Sequence, residues 1–270
     1  MVSETIAYRP YRQMLRAQLR SQTSYRGSFL VELAASAILT VVDLLTVVVL
    51  FHVSGVLGGF TLATGLLMAS IANLGFSLAS LVVGNVDNLR QGIRTGQLDA
   101  LLVRPLGLLR QLLASDFELR RIGRVLQGVV AVVVAVLVAD LHWSWRTPVL
   151  LLIAPIAAAV FFCAVYVIAG SVTFWWIDSG EFANSFTDGG RELVTYPITV
   201  YGELFRRLFA FGLGFAFVVY YPVLLLTGLR DPLGLPTWVG WLSPPAAAAA
   251  AGIAAVVWRS GIRHYRSTGS

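Results

Sequence analysis

Asp43 sits in the middle of an apolar run spanning residues 29–53, and Glu32 lies near the start of the same run. An ionised carboxylate at the centre of a membrane helix costs about 2.5–3.5 kcal/mol on insertion scales. Asp43 is therefore expected to face protein or a water-filled cavity, with Asn73 or a neighbouring hydroxyl as its donor. Two chemistries are open to it: an interhelical hydrogen bond, or a substrate or proton site on a pathway. Glu32 can reach interfacial water and is the weaker signal. Asp43, Glu32 and Asn73 are the candidate pathway residues.

Other chemistries lack their parts. All twenty basic residues are arginine. Without lysine there is no Walker A loop, whose lysine reaches the β- and γ-phosphates, and no Schiff base. The three histidines, His52, His142 and His264, are scattered without ligand spacing, so no metal site is expected. Cys163 is the only cysteine, which rules out an intramolecular disulfide and reads as a small buried hydrophobe. No G-x-S-x-G elbow occurs, and no segment between apolar runs is long enough for a catalytic domain. The chain is not expected to be an enzyme.

The elements that must hold these residues are membrane helices. Hydrophobic residues make up 57% of the chain and charged residues 13%, with a mean hydropathy of +0.76. A typical soluble domain has about 25% charged residues, so a water-soluble reading is excluded. A bilayer core needs about 20 mostly apolar residues in a helix. Residues 29–53, 61–86, 123–139, 148–176 and 208–227 approach or exceed that length. A sixth span at 244–258 is short, about 22 Å of helix, so residues 237–243 are expected to dip into the membrane ahead of it. Pro244 and Pro245 suit its first turn, while Pro155 and Pro222 are expected to kink the fourth and fifth spans. Gly65, Ala69, Ala72, Gly75 and Ala79 recur along the second span at three- and four-residue steps, a seam for close helix packing.

The arginines orient these spans. Five precede the first, seven lie between positions 90 and 124, three between 191 and 207, and three follow Trp258. Only Arg146 and Arg230 fall on the other side. Arginine excess marks the cytoplasm, so both termini and the loops at 87–122 and 177–207 are expected there. The same pattern explains the net charge of +6 without nucleic acid. The seven tryptophans fall near span ends, as interfacial indoles do. No apolar core of signal-peptide length precedes Phe29, so the N-terminus is expected to be retained. Tyr11, Leu15 and Leu19 beside Arg12, Arg16 and Arg20 predict an interfacial helix over about residues 8–25. The expected fold is one all-α integral membrane domain, residues 1–270, with six transmembrane helices behind that surface helix.

The loop after the second span contains Gly96-Gln97-Leu98-Asp99-Ala100-Leu101-Leu102-Val103-Arg104-Pro105. Its second half reads as a short amphipathic helix with Asp99 near its start and Arg104 before the terminating proline. Leu98, Leu101 and Leu102 form an apolar edge that would rest on the membrane or dock into a soluble partner.

That segment resembles the G-x-L-x-x-L-L-x-R-P loop between spans two and three in permeases of type-2 ATP-binding-cassette exporters. Tyr196-Pro197-Ile198-Thr199-Val200-Tyr201 and Ala216-Phe217-Val218-Val219-Tyr220-Tyr221-Pro222 resemble one branch of that group, linked to efflux of drugs and viologen-type organic cations. The resemblance covers nearly the whole chain. It implies a coupling helix seated in a nucleotide-binding ATPase subunit, with Leu98, Asp99, Leu101, Leu102, Arg104 and Pro105 as contacts. It also implies a second permease, as homodimer or heterodimer, and ATP with Mg²⁺ held by the partner ATPase, so that this chain binds no cofactor. The expected location is the inner membrane of a bacterium, and the arginine- and alanine-rich composition suggests a GC-rich genome. The alternative is a proton-driven secondary transporter using Asp43, although no repeat relates the two halves. An assembly subunit without a pathway is the third reading.

Overall fold

The structure is a computed structural model that describes residues 26–105, 107–115 and 119–265. The expected surface helix at residues 8–25 lies outside the described residues. Five described helical stretches are long and apolar enough to cross a membrane: Leu33–Ser54, Leu62–Arg94, Arg120–Val138, Arg146–Phe174 and Thr237–His264.

The helices follow in the order α1 (Arg26–Ser54), α2 (Leu62–Val83), α3 (Leu89–Arg94), α4 (Gln97–Leu102), α5 (Leu108–Ser115), α6 (Leu119–Val138), α7 (Arg146–Ser171) and α8 (Gly180–Thr195). A broken pair comes next, α9 (Glu203–Gly212) and α10 (Phe215–Thr227), and then α11 (Ser243–His264). Helix α2 is central: 72% of its apolar window is buried, against 6% for α1, which leaves α1 facing outward along most of its length. The small-residue seam explains how α2 gets so close to α7. A Cβ on Gly75 would stand 2.6 Å from the Ala158 Cβ and 3.2 Å from its backbone carbon, so only glycine fits. Helix α11 packs along the other side of α7.

The prolines behave according to position. Pro244 and Pro245 open α11, where missing N–H groups are harmless. Pro222 lies inside α10, whose helical pattern is interrupted at Val219, between Phe215–Val218 and Tyr220–Thr227, within the turn that a proline at 222 disturbs. Pro155 is carried within α7, which stays helical from Arg146 to Ser171. Trp258 departs from the interfacial pattern. It is buried, its ring 5.3 Å from Phe174.

Contacts define two ends of the bundle. At the near end, Arg90 and Arg94 of α3 reach Asp178, just before α8, and Trp175 stacks on His264 at the end of α11. At the far end, the Thr199 hydroxyl donates to the Gly58 carbonyl at 2.9 Å, and the His142 amide donates to Leu226 at 3.0 Å. Residues 178 and 199 thus lie at opposite ends, and α8 runs the length of the bundle between them. Where the sequence predicts a loop over 177–207 on one side, the structure has a helix whose two flanks contact opposite ends of the bundle. Sixteen residues with Glu181, Asp188, Arg191 and Glu192 carry too much charge to register as apolar.

The expected fifth span, 208–227, is also not one helix. It breaks at Leu213 and Gly214, where Gly214 takes φ +85°, a left-handed conformation that glycine adopts without strain. The pair is bent by 62° at this break. Helix α9 turns π-helical from Arg206 to Gly212, and its Phe211 ring lies 6.4 Å from Tyr221 of α10. The apex carries Phe215 into the bundle, 5.0 Å from Phe161 of α7 and 6.5 Å from Phe186 of α8. Both outer limbs are at the far end, where Tyr220 and Tyr221 donate to Asp231 at 3.0 and 3.5 Å. This changes the charge map. Arg206 and Arg207 join Arg146 and Arg230 at the far end, and Arg191 lies between the ends.

Candidate functional site

Two sites emerge, one inside the bundle and one at its near end. Inside, α1 contributes Asp43, α2 contributes Asn73, and α8 contributes Arg191. Nη1 of Arg191 donates to Asp43 Oδ2 at 2.9 Å and to Asn73 Oδ1 at 3.2 Å. Its Nη2 donates to Glu192 at 2.7 Å, and its guanidinium lies 5.6 Å from the centre of the Phe76 ring. Asp43 does meet a partner inside the bundle. That donor is Arg191, however, and Asn73 acts as a second acceptor on the same nitrogen. Arg191 was missed because its segment was assigned to a loop. The available signal was its place in an amphipathic stretch whose buried positions, Ala183, Thr187, Gly190 and Val194, recur at three- and four-residue steps.

This cluster separates two spaces. Towards the near end is a cavity of about 460 Å³, lined by Ser36, Thr40, Phe76, Arg120, Arg124 and Asp188 together with the cluster. Towards the far end is a pocket of about 60 Å³, lined by Thr46, Glu192, Thr195 and Tyr196 with the same Asp43, Asn73 and Arg191. The Asp43–Arg191 pair thus forms a charged partition between them. Asp43 is 46% exposed and Arg191 22%, so the pair stands at the edge of open space. Beside it, Gln127 of α6 bonds Ser36 and Thr40 of α1, donating to Ser36 at 3.1 Å and accepting from Thr40 at 3.2 Å. Glu32 lies in α1, but its side chain is outside the described residues.

At the near end, α4 is the predicted short helix, spanning Gln97–Leu102. Gly96 precedes it with φ +69°, a turn that other residues enter only with strain. The predicted apolar edge divides. Leu98 is 1% exposed and anchors the helix in the protein's own core, and Leu101 packs partly against that core. The Leu101 carbonyl accepts from Gln111 at 2.9 Å. Leu102, Val103, Arg104 and Pro105 are exposed, Val103 by 86%. Asp99 turns sideways and accepts from the Tyr265 hydroxyl at 3.0 Å. Burial, followed by the Asp99 carboxylate, raises the Tyr265 phenol above its ordinary range, so it remains a donor. A six-residue helix is too short to persist alone, and these three attachments supply its order.

Comparison with known families gives a match over nearly the whole chain. Residues 37–269 match a family described as ABC-2 family transporter protein. No curated protein and no solved structure matches.

Proposed function

The chain belongs to the ABC-2 transporter family, and from that premise we propose that it forms half of a substrate pathway driven by a separate nucleotide-binding ATPase. A member of this family is the membrane permease of an ABC exporter and not its ATPase. The observation that carries the finer reading is α4, a short helix fixed to its own bundle by Leu98 and Asp99 while Leu102, Val103, Arg104 and Pro105 face outward. That is the shape of a coupling helix, with one face held and the other offered to a soluble partner. The docking contacts are then Leu102, Arg104 and Pro105, with Val103 added. Leu98, Asp99 and Leu101 hold the helix in place.

The near end is the cytoplasmic end in this reading, because Arg26, Arg90, Arg94, Arg104, Arg110, Arg120, Arg121, Arg124, Arg259 and Arg263 gather there against four arginines at the far end. Helix α8 is the fifth crossing. Helices α9 and α10 form a re-entrant hairpin from the outside, and α11 is the sixth crossing. The outward face of α8 carries Glu181, Asn184, Ser185, Asp188 and Glu192. Polar groups at membrane depth need protein or water against them, so this face lines the pathway and meets a second permease. The exposed acidic groups favour a cationic substrate, in keeping with the drug and viologen branch.

ATP with Mg²⁺ belongs to the partner. Closure of the ATPase pair would move α4 and open the paired bundles outward, in a bacterial inner membrane. A proton-driven route through Asp43 has less support, since Arg191 occupies that carboxylate. The test is to isolate the complex from its native membrane in detergent and identify the co-eluting chains by mass spectrometry. A stoichiometric ATPase is expected, together with either one permease or two. Isolation of the permease with no ATPase, across several mild detergents, would overturn the reading.

A further inference from the structure

The near-end attachment of α4 leads somewhere specific. Asp99 and Tyr265 are 166 positions apart, and their hydrogen bond ties α4 to the end of the last helix. That end of α11 is firmly held. Gly261 lies so close to Phe174 that an added Cβ would stand 2.4 Å from the ring. Trp258 and Tyr265 pack on the same Phe174 at 5.3 and 6.2 Å, and His264 stacks on Trp175 at 5.8 Å. At its other end α11 begins directly from the 3₁₀ turn Thr237–Leu242. That turn packs on the second limb of the hairpin, where a Cβ on Gly240 would stand 2.8 Å from the Tyr221 carbonyl oxygen. One stiff helix of 22 residues, about 33 Å at 1.5 Å per residue, therefore connects the near-end loop to the far-end hairpin.

We propose that Tyr265 is a positioning residue that fastens α4 to α11, so that displacement of α4 is delivered through α11 to the α9–α10 hairpin. This rests on α4 being the ATPase-docking helix. The route does not pass through α1 or the Asp43–Arg191 cluster. The Tyr265 hydroxyl lies at the end of α11, outside the packed interior, so this contact can be loosened without disturbing the core. Tyr265→Phe removes only the hydroxyl and keeps the ring on Phe174.

The experiment uses the full complex with its ATPase in lipid nanodiscs. An environment-sensitive fluorophore is attached at Leu208→Cys on α9, in a Cys163→Ala background, and MgATP is the probe. ATP is expected to change the fluorophore's emission. Tyr265→Phe should reduce that change by about five-fold or more, the span of an allosteric coupling of at least 1 kcal/mol, while the ATPase remains bound and hydrolyses ATP. Asp99→Ala should behave like Tyr265→Phe, and Asp99→Asn, which keeps an acceptor oxygen, should retain most of the response. In a double-mutant cycle, Tyr265→Phe with Asp99→Ala should be no worse than either alone. An unchanged response in Tyr265→Phe, or additive losses in the double variant, overturns the inference. The docking reading fails separately: it falls if Leu102→Asp leaves both ATPase binding and the hairpin response intact.

Discussion

Arg191 and Asp43 are 148 positions apart and meet at 2.9 Å, joining the most charged helix of the bundle to the middle of the most exposed one. Asn73 shares the same guanidinium nitrogen, so three helices converge on one cation. The pair lies between the larger near-end cavity and the smaller far-end pocket.

Removing one partner leaves the other charge uncompensated. For a fully buried pair this costs about 3–5 kcal/mol, and the partial exposure here reduces the expected loss to about 1–2 kcal/mol. Asp43→Ala and Arg191→Ala should each lower the thermal midpoint of the detergent-solubilised protein, and the double variant should lose less than the sum. The exchanged pair, Asp43→Arg with Arg191→Asp, should recover part of the loss. A wild-type midpoint in Asp43→Ala would show that the contact contributes nothing.

The course of α8 can be tested chemically. In a Cys163→Ala background, Thr199→Cys should react with a membrane-impermeant maleimide added to intact cells. Asp178→Cys should react only after the membrane is opened. If position 199 is protected until permeabilisation, α8 is not a crossing and residues 177–207 lie on one side of the membrane.

The divided edge of α4 gives a paired test. Leu98 is buried, and a carboxylate there should destabilise the fold by about 3 kcal/mol or more. Leu98→Asp should therefore lower the yield of monodisperse protein. Leu102→Asp should leave yield and chromatographic profile unchanged while releasing the ATPase. Identical behaviour of the two variants would mean that the two faces do not have separate roles.

The sequence was legible wherever one signal dominated. Helices α1, α2, α6, α7 and α11 announce themselves by apolar length, and Gly96 with Pro105 brackets α4. Polarity concealed α8, since Glu181, Asp188, Arg191 and Glu192 look like a loop unless Ala183, Thr187, Gly190 and Val194 are read as the buried face of a helix. The bent pair α9–α10 hid its break in the opposite sense. Its apolar residues do add up to the length of a span, counted as one bent pair, and only Gly212-Leu213-Gly214 hints at the break. The side that Arg206 and Arg207 mark depends on that break, because counting arginines requires first locating the crossings. The direction of Leu98 was illegible for a different reason. A two-turn helix can present either face, and the choice is made by Gln111 and Tyr265, which arrive from elsewhere in the chain.

The charge on α8 also bears on how the protein is made. Each ionised side chain near the centre of a crossing helix resists release into lipid by about 2.5–3.5 kcal/mol, and α8 carries four along its length. Emerging from the ribosome alone, it would be returned to water. By then α1 and α2 are already in the bilayer with Asp43 and Asn73, and α7 is beside them. In the proposed topology, where α8 crosses, the earlier helices would act as a built-in insertion chaperone for the later one, and the order of synthesis would become part of what specifies the topology.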